Sequence, residues 1–160
     1  MGNDTFDDLI APVLDPGFRL AMTMLNDRTA AEDAVQEAAL KAWRNRGRLR
    51  PGAPLRPWFL AIVANACRTA CRSHWGRVVT MAQMMARPTS RDASAERIDL
   101  QAALDRLPNH HLPVLSLYYH LDLPVREIAQ VLACSEGAVR QRLHRALAVL
   151  RPSMALEANA

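Results

Sequence analysis

Between Lys41 and Arg91 the chain has no aspartate and no glutamate, yet it carries eleven lysines and arginines there. Residues 1–40 show the opposite bias, with eight acids against two arginines, and residues 92–160 are nearly balanced at seven basic and eight acidic. The formal net charge of +4 conceals this asymmetry. A basic block in a folded chain suits a polyanion partner, because neutralised phosphates release condensed counterions. From charge alone, a solvated basic face is an equal reading.

Other absences narrow the class further. No run approaches the ~20 apolar residues of a membrane-spanning helix. Met1 to Asp8 is acidic, with no early apolar stretch of the kind a signal peptide needs. The three cysteines, Cys67, Cys71 and Cys134, are odd in number and not spaced as a disulfide framework. A reduced, cytoplasmic protein with no membrane contact of its own is expected. Glycine-rich phosphate loops are missing, the histidines at 110, 111, 120 and 144 are scattered, and no serine, acid and histidine form a triad. The expectation is a protein that is not an enzyme and needs no cofactor. Cys67, Cys71 and His74 stand at i, i+4 and i+7, where a metal or redox site is conceivable. A fourth ligand is not evident, and small thiols in an alanine-rich helix read as core, so no metal is assigned.

Strand alternation is nearly absent too, while half of the residues are hydrophobic and recur with helical spacing. The expected fold class is all-α, in two small helical domains joined by a short linker. Asp15-Pro16 can serve as N-cap and N1 of a helix ending near Leu25. Thr29-Ala30-Ala31-Glu32 has the form of a capping box opening a second helix, with Val35, Ala38, Ala39 and Ala42 on its core stripe. Asp33, Gln36, Glu37 and Leu40 fall at the edge of that stripe or beyond it. Gly47 to Pro57 holds three prolines and two glycines and reads as a loop. Pro57 then starts a helix to about His74.

Periodicity fades over 80–94, which reads as linker. Four short helices follow, around Ile98–Leu104, His111–His120, Val125–Leu132 and Ser135–Leu150. The run "VREIAQVLACSEGAVRQRLHRALAVLR" is the sharpest pattern. Ile128, Ala129 and Leu132 face inward on a short helix, a tight turn follows at Ala133-Cys134, and Ser135 can cap a longer helix. Val139, Leu143, Ala146, Leu147 and Leu150 make one face of that helix. Gly137, Gln141, His144 and Arg145 point the other way, with Arg140 flanking. This is a helix-turn-helix whose polar face can enter a major groove.

Together the two halves resemble a group 4 (extracytoplasmic-function, ECF) sigma factor of bacterial RNA polymerase, a branch of the sigma-70 family. "AEDAVQEAALKAW" resembles that family's core-binding helix and "RPWFLAIVANACR" its promoter-recognition and melting helix. "ALDRLPNHHLPVLSLYYHLDLPVREIAQVL" followed by "SEGAVRQRLHRALAVLR" resembles its region 4. The implied domains are a region 2 over 1–79, a linker over 80–94, a region 4 over 95–153 and a tail over 154–160.

The resemblance implies a transcription initiation factor whose partners are core RNA polymerase, through its β′ coiled coil and its β subunit, and promoter DNA. An anti-sigma factor is a further candidate partner. Asp33, Gln36, Glu37, Leu40 and Trp43 align with core-binding positions. Arg46, Arg48, Arg50, Arg56, Asn65, Arg68 and Arg72 fall in the segment that captures and melts the −10 element. Ser135, Gly137, Ala138, Arg140, Gln141, His144 and Arg145 fall on the −35 reading surface. Trp58 reads as core rather than a strand-separating wedge.

The chain also departs from the family pattern. Ala61 stands where a basic residue is usual, the family's arginine cluster after the melting helix is denser than "RTACRSHWGR", Leu112-Pro113 replaces an Arg-Glu pair, and Ala138 replaces a threonine. Two competing readings are a stand-alone dimeric helix-turn-helix regulator and a sigma-like mimic that sequesters an anti-sigma protein. The first does not need the acidic helix and arginine loop. The second does not need the basic surface.

Overall fold

The computed structural model describes residues 4–75, 102–107 and 111–158, with side chains described over 6–72, 102–107 and 111–151. All regular elements among them are helical, and no strand occurs among the described residues. The expected linker over 80–94 lies outside them.

Helix α1 spans Asp4–Leu25, starting eleven residues before the expected cap at Asp15. Pro12 and Pro16 therefore lie inside the helix, where each removes one backbone donor. Burial of Ile10, Val13, Leu20 and Ala21 on one stripe holds the helix together despite that loss. Asp15 does not cap; its carboxylate pairs with Arg19 one turn on, at 3.0 Å. The chain leaves α1 through Asn26 in the left-handed region, at φ 51°.

Helix α2 spans Arg28–Asn45 and also starts earlier than expected. Its N-cap is Asp27, whose Oδ1 accepts from the Ala30 N–H at 2.7 Å. The capping box at Thr29 is not formed, because Glu32 pairs with Arg28 instead. A carboxylate two residues upstream of Thr29 is the stronger acceptor for a free helix N–H. Ala31, Ala34, Val35, Ala38 and Ala42 are buried, so α2 lies close on its neighbours through small side chains.

A 3₁₀ turn over Arg46–Arg48 follows, then a bend that ends where α3 (Leu55–Trp75) begins. The loop is thus two residues shorter than the spacing predicts. Pro57 sits in the first turn of α3, where its missing N–H costs nothing. Phe59, Leu60, Val63, Ala64, Ala66 and Cys67 make the buried face of α3. Helix α3 packs on α1 and α2 on one side and on the helix-turn-helix on the other.

A helical turn at 102–105 leads into the second half, and the expected helix from Ile98 is described only there. The segment expected as one helix over His111–His120 is split. A short α4 (Leu112–Leu115) runs into a π-helical turn over Ser116–His120, closed by Leu121 N–H to Ser116 O at 3.1 Å. Helix α5 spans Val125–Leu132 as the periodicity predicts. Helix α6 spans Glu136–Ala158, eight residues past the expected Leu150. The core is continuous from α1 through α3 to α5 and α6, so the two halves share one hydrophobic interior.

Candidate polymerase and nucleic-acid interface

Four of the five residues assigned to core binding form one exposed patch on α2. Asp33, Gln36, Glu37 and Leu40 are all exposed, and they share a face because helical neighbours recur at three and four residues. Leu40 is 58% exposed, an apolar side chain left in water amid acids. Glu37 is part-neutralised by Lys41 at 2.6 Å. Trp43 is placed differently. It borders this patch, half-buried, with Phe6 of α1 edge-on at 5.2 Å and the Arg46 guanidinium 3.9 Å above its ring.

The arginine loop is an ordered pair of turns. Leu49 N–H donates to Arg46 O at 3.3 Å and Ala53 N–H to Arg50 O at 2.9 Å. The second turn reads Arg50-Pro51-Gly52-Ala53, with Gly52 at φ +79°. Proline at the second position and glycine at the third, where φ is positive, are the residues a type II turn demands. Arg48 and Arg50 are exposed on this loop. Arg56, at the start of α3, differs: its Nε is buried and has no hydrogen-bond partner among the described residues.

Asn65 and Arg72 are exposed on α3, and Arg68 is half-buried beside them. Asn65, one helical turn before Thr69, receives that hydroxyl's hydrogen bond on its backbone carbonyl at 3.1 Å. Trp58 is half-buried and packs on the core, in keeping with its expected role, and Phe59 is fully buried.

In the helix-turn-helix, Ala133 takes the left-handed conformation at φ 52° and ends α5. Ser135 then caps α6 as the sequence predicts, its Oγ accepting from the Ala138 N–H at 3.1 Å. Gly137, Arg140, Gln141, His144 and Arg145 are exposed along α6, Ala138 half-buried beside them, and Val139, Leu143, Ala146 and Leu150 are buried behind them. Arg140 is braced by Glu136 at 3.2 Å.

Two residues that sequence reasoning passed over set the pose of this helix. His111 is buried, and its Nδ1–H donates to the Arg142 carbonyl at 3.2 Å. Arg142 reaches back to Cys134 Sγ at 3.9 Å, tying α6 to the turn before it. A histidine directly before a Leu-Pro helix start was the available signal for the first. No spacing rule connects His111 to a residue thirty-one positions on.

Cys67 is buried, which pushes its thiol from 9.0 up to about 12, with Cys71 acting in the same direction and Arg68 opposing. Burial also raises the Cys71 thiol. Such thiols stay protonated at neutral pH and are poor ligands and nucleophiles. The His74 side chain lies outside the described residues. Between α1 and the second half runs an apolar groove of about 500 Å³, lined by Met22, Leu112, Leu115, Tyr119, Leu147 and Leu150 among others. Among the described residues no helix is long and apolar enough to cross a membrane.

Residues 9–77 match the family described as Sigma-70 region 2, and residues 103–152 match Sigma-70, region 4. Neither is a catalytic family. The probable RNA polymerase sigma factor RfaY of Xanthomonas campestris pv. campestris is 34% identical over 143 residues, covering 82% of this chain and 36% of that protein. This chain thus spans little more than a third of that relative's length. The ECF RNA polymerase sigma factor SigL of Mycobacterium tuberculosis is 30% identical over 141 residues, covering 84% of this chain and 80% of SigL. The solved sigma factor RpoE of Bartonella quintana, in complex with the anti-sigma factor NepR, shares the fold. Its TM-score is 0.75 at 22% identity, covering 94% of this chain and 96% of that one.

Proposed function

Since the chain belongs to the extracytoplasmic-function group of the sigma-70 family, we propose that it binds core RNA polymerase and directs it to promoters, reading the −35 element as duplex and melting the −10 element. One observation carries this reading. The shared core buries one face each of α2, α3 and α6, and it leaves exposed the acidic face of α2, the Arg48–Arg50 loop with Asn65, and the outer face of α6.

Each exposed face has a task that its chemistry fits. Asp33, Gln36 and Glu37 set the register on a basic polymerase surface, and Leu40 contributes the apolar anchor. Arg140, Gln141, His144 and Arg145 enter the major groove, where arginine and glutamine each make bidentate contacts to base edges. Ser135, Gly137 and Ala138 bring the first turn of α6 close to the DNA backbone, where the free helix N–H groups favour a phosphate. Melting needs contacts that exist only once a strand is displaced. Arg48, Arg50, Arg56, Arg68 and Arg72 hold that strand's phosphates, while the Asn65 amide meets an unstacked base.

Gel filtration of the protein with core polymerase, followed by permanganate reactivity of −10 thymines on promoter DNA, tests both parts. Asp33→Arg combined with Glu37→Arg is expected to abolish co-elution through like-charge repulsion. Asn65→Ala is expected to keep co-elution and lose permanganate reactivity on duplex DNA. Co-elution of the double variant at the wild-type level, or full reactivity with Asn65→Ala, overturns the corresponding assignment.

A further inference from the structure

Arg46 lies in the arginine-rich segment, but its surroundings differ from those of Arg48 and Arg50. Its guanidinium carbon sits 3.9 Å from the centroid of the Trp43 ring. Its Nη1 donates to the Trp43 carbonyl at 2.8 Å, and its backbone N–H donates to the same carbonyl. The residue before it, Asn45, donates Nδ2–H one turn back to the Lys41 carbonyl at 2.8 Å. The side chains of Arg46 and Asn45 thus add donors to carbonyls in the last turns of α2. Trp43 is itself anchored, because Phe6 of α1 meets its ring edge-on. From Arg46 the chain passes straight into the 3₁₀ turn, since the Arg46 carbonyl accepts from Leu49.

We propose that Arg46 is a positioning residue, which locks the end of the polymerase-facing helix to the arginine loop through Trp43, and that it does not contact DNA. This rests on the reading of the loop as the −10 reader. The physical reason is competition for one cation. Arg46 is exposed, but its guanidinium has its plane fixed by the indole and Nη1 committed to a helix carbonyl, so it cannot swing out to follow a phosphate without losing both contacts. Arg48 and Arg50, exposed and with no side-chain hydrogen bond or ion pair among the described residues, give up nothing. A loop of two linked turns points its arginines correctly only if its first residue is held. The same contact makes the loop sense α2, because a shift of Trp43 moves Arg46 with it.

Two measurements test the proposal. The first uses the protein alone and follows amide hydrogen exchange at Leu49 and Ala53, whose N–H groups close the two turns. Arg46→Ala is expected to speed exchange at both, and Arg46→Lys, which keeps a cation over the ring, to speed it less. Wild-type exchange in Arg46→Ala overturns the positioning role, whatever the protein's activity.

The second measures holoenzyme affinity for a promoter bubbled at −10 across a salt series. Each phosphate held on single-stranded DNA contributes about 0.7 to the slope of log affinity against log salt. Arg48→Ala is expected to reduce the slope by about that amount. Arg46→Ala is expected to weaken binding about two- to fivefold at every salt concentration, the range of a cation–π contact, with the slope unchanged. Trp43→Leu combined with Arg46→Ala is expected to be no weaker than Trp43→Leu alone. A slope loss in Arg46→Ala equal to that in Arg48→Ala overturns the claim that Arg46 stays off DNA. If Arg48→Ala and Arg50→Ala also leave affinity and slope unchanged while Arg46→Ala still speeds exchange, the −10 reading of the loop fails and the positioning role stands.

Discussion

Cys67 shows how one buried side chain gives the fold a pH dependence that function does not need. Its folded-state pKa, about 12, lies above the 9.0 of an exposed thiol. The folded state therefore prefers the neutral thiol, and this preference is fully present below pH 9. Above that, the unfolded chain loses the proton first, so stability falls until the pH passes the folded value. Urea midpoints of the wild type and of Cys67→Ala, followed from pH 8 upward, should converge or cross as the wild type loses this contribution. A constant difference between the two across that range contradicts it. In the native protein at neutral pH, Cys67 should also resist iodoacetamide under conditions that alkylate the half-exposed Cys134.

At the scale of elements, the approach of α1 to α3 depends on a single missing side chain. A Cβ on Gly17 would stand 2.9 Å from Phe59 Cε1 and 3.3 Å from Val63 Cγ2. Glycine inside a helix costs roughly 0.5–1 kcal/mol against alanine, so it persists here because the helices meet at that point. Gly17→Leu overpacks this contact, at a cost of about 1–3 kcal/mol. The thermal midpoint should then fall by roughly 3–10 °C, measured by circular dichroism. A midpoint at or above that of the wild type would mean that the helices part without strain. Because α3 carries Asn65 on its far side, the same variant should also weaken promoter opening.

For the whole molecule, the question is distance. A compact chain of this length has a radius of gyration of about 15 Å. Elements named −10 and −35 are centred about 25 base pairs apart, roughly 85 Å along B-DNA at 3.4 Å per pair. With α3 packed on α5 and α1 on α4, the reading faces of α3 and α6 cannot span that length. On the proposed assignment of α3 to the −10 element and α6 to the −35 element, promoter binding requires the halves to separate. The seam between them is incompletely filled, as the groove lined by Met22, Leu115 and Leu147 shows, which lowers the cost of opening. Dyes placed on Thr69→Cys and Ala148→Cys, with Cys71 and Cys134 replaced by serine, should lose energy transfer when holoenzyme forms. Transfer unchanged in holoenzyme on promoter DNA would show the halves moving as one body.

The all-helical class, the buried stripe of α2, the bounds of α5 and the Ser135 cap were legible in the sequence because each depends on residues within one or two turns. So was the split between an acidic helix face and an arginine loop, since charge is a property of composition. Local rules failed where two of them competed: Asp27 displaced Thr29 as a cap, and tertiary burial carried α1 through Pro12 and Pro16. Three further features came only from the folded chain. They are the seat of Arg46 on Trp43, the tie from His111 to Arg142, and the second face of α3 buried against α5. Each joins groups whose meeting depends on rotamer choice or on contacts distant in sequence, and helical periodicity carries no information about either.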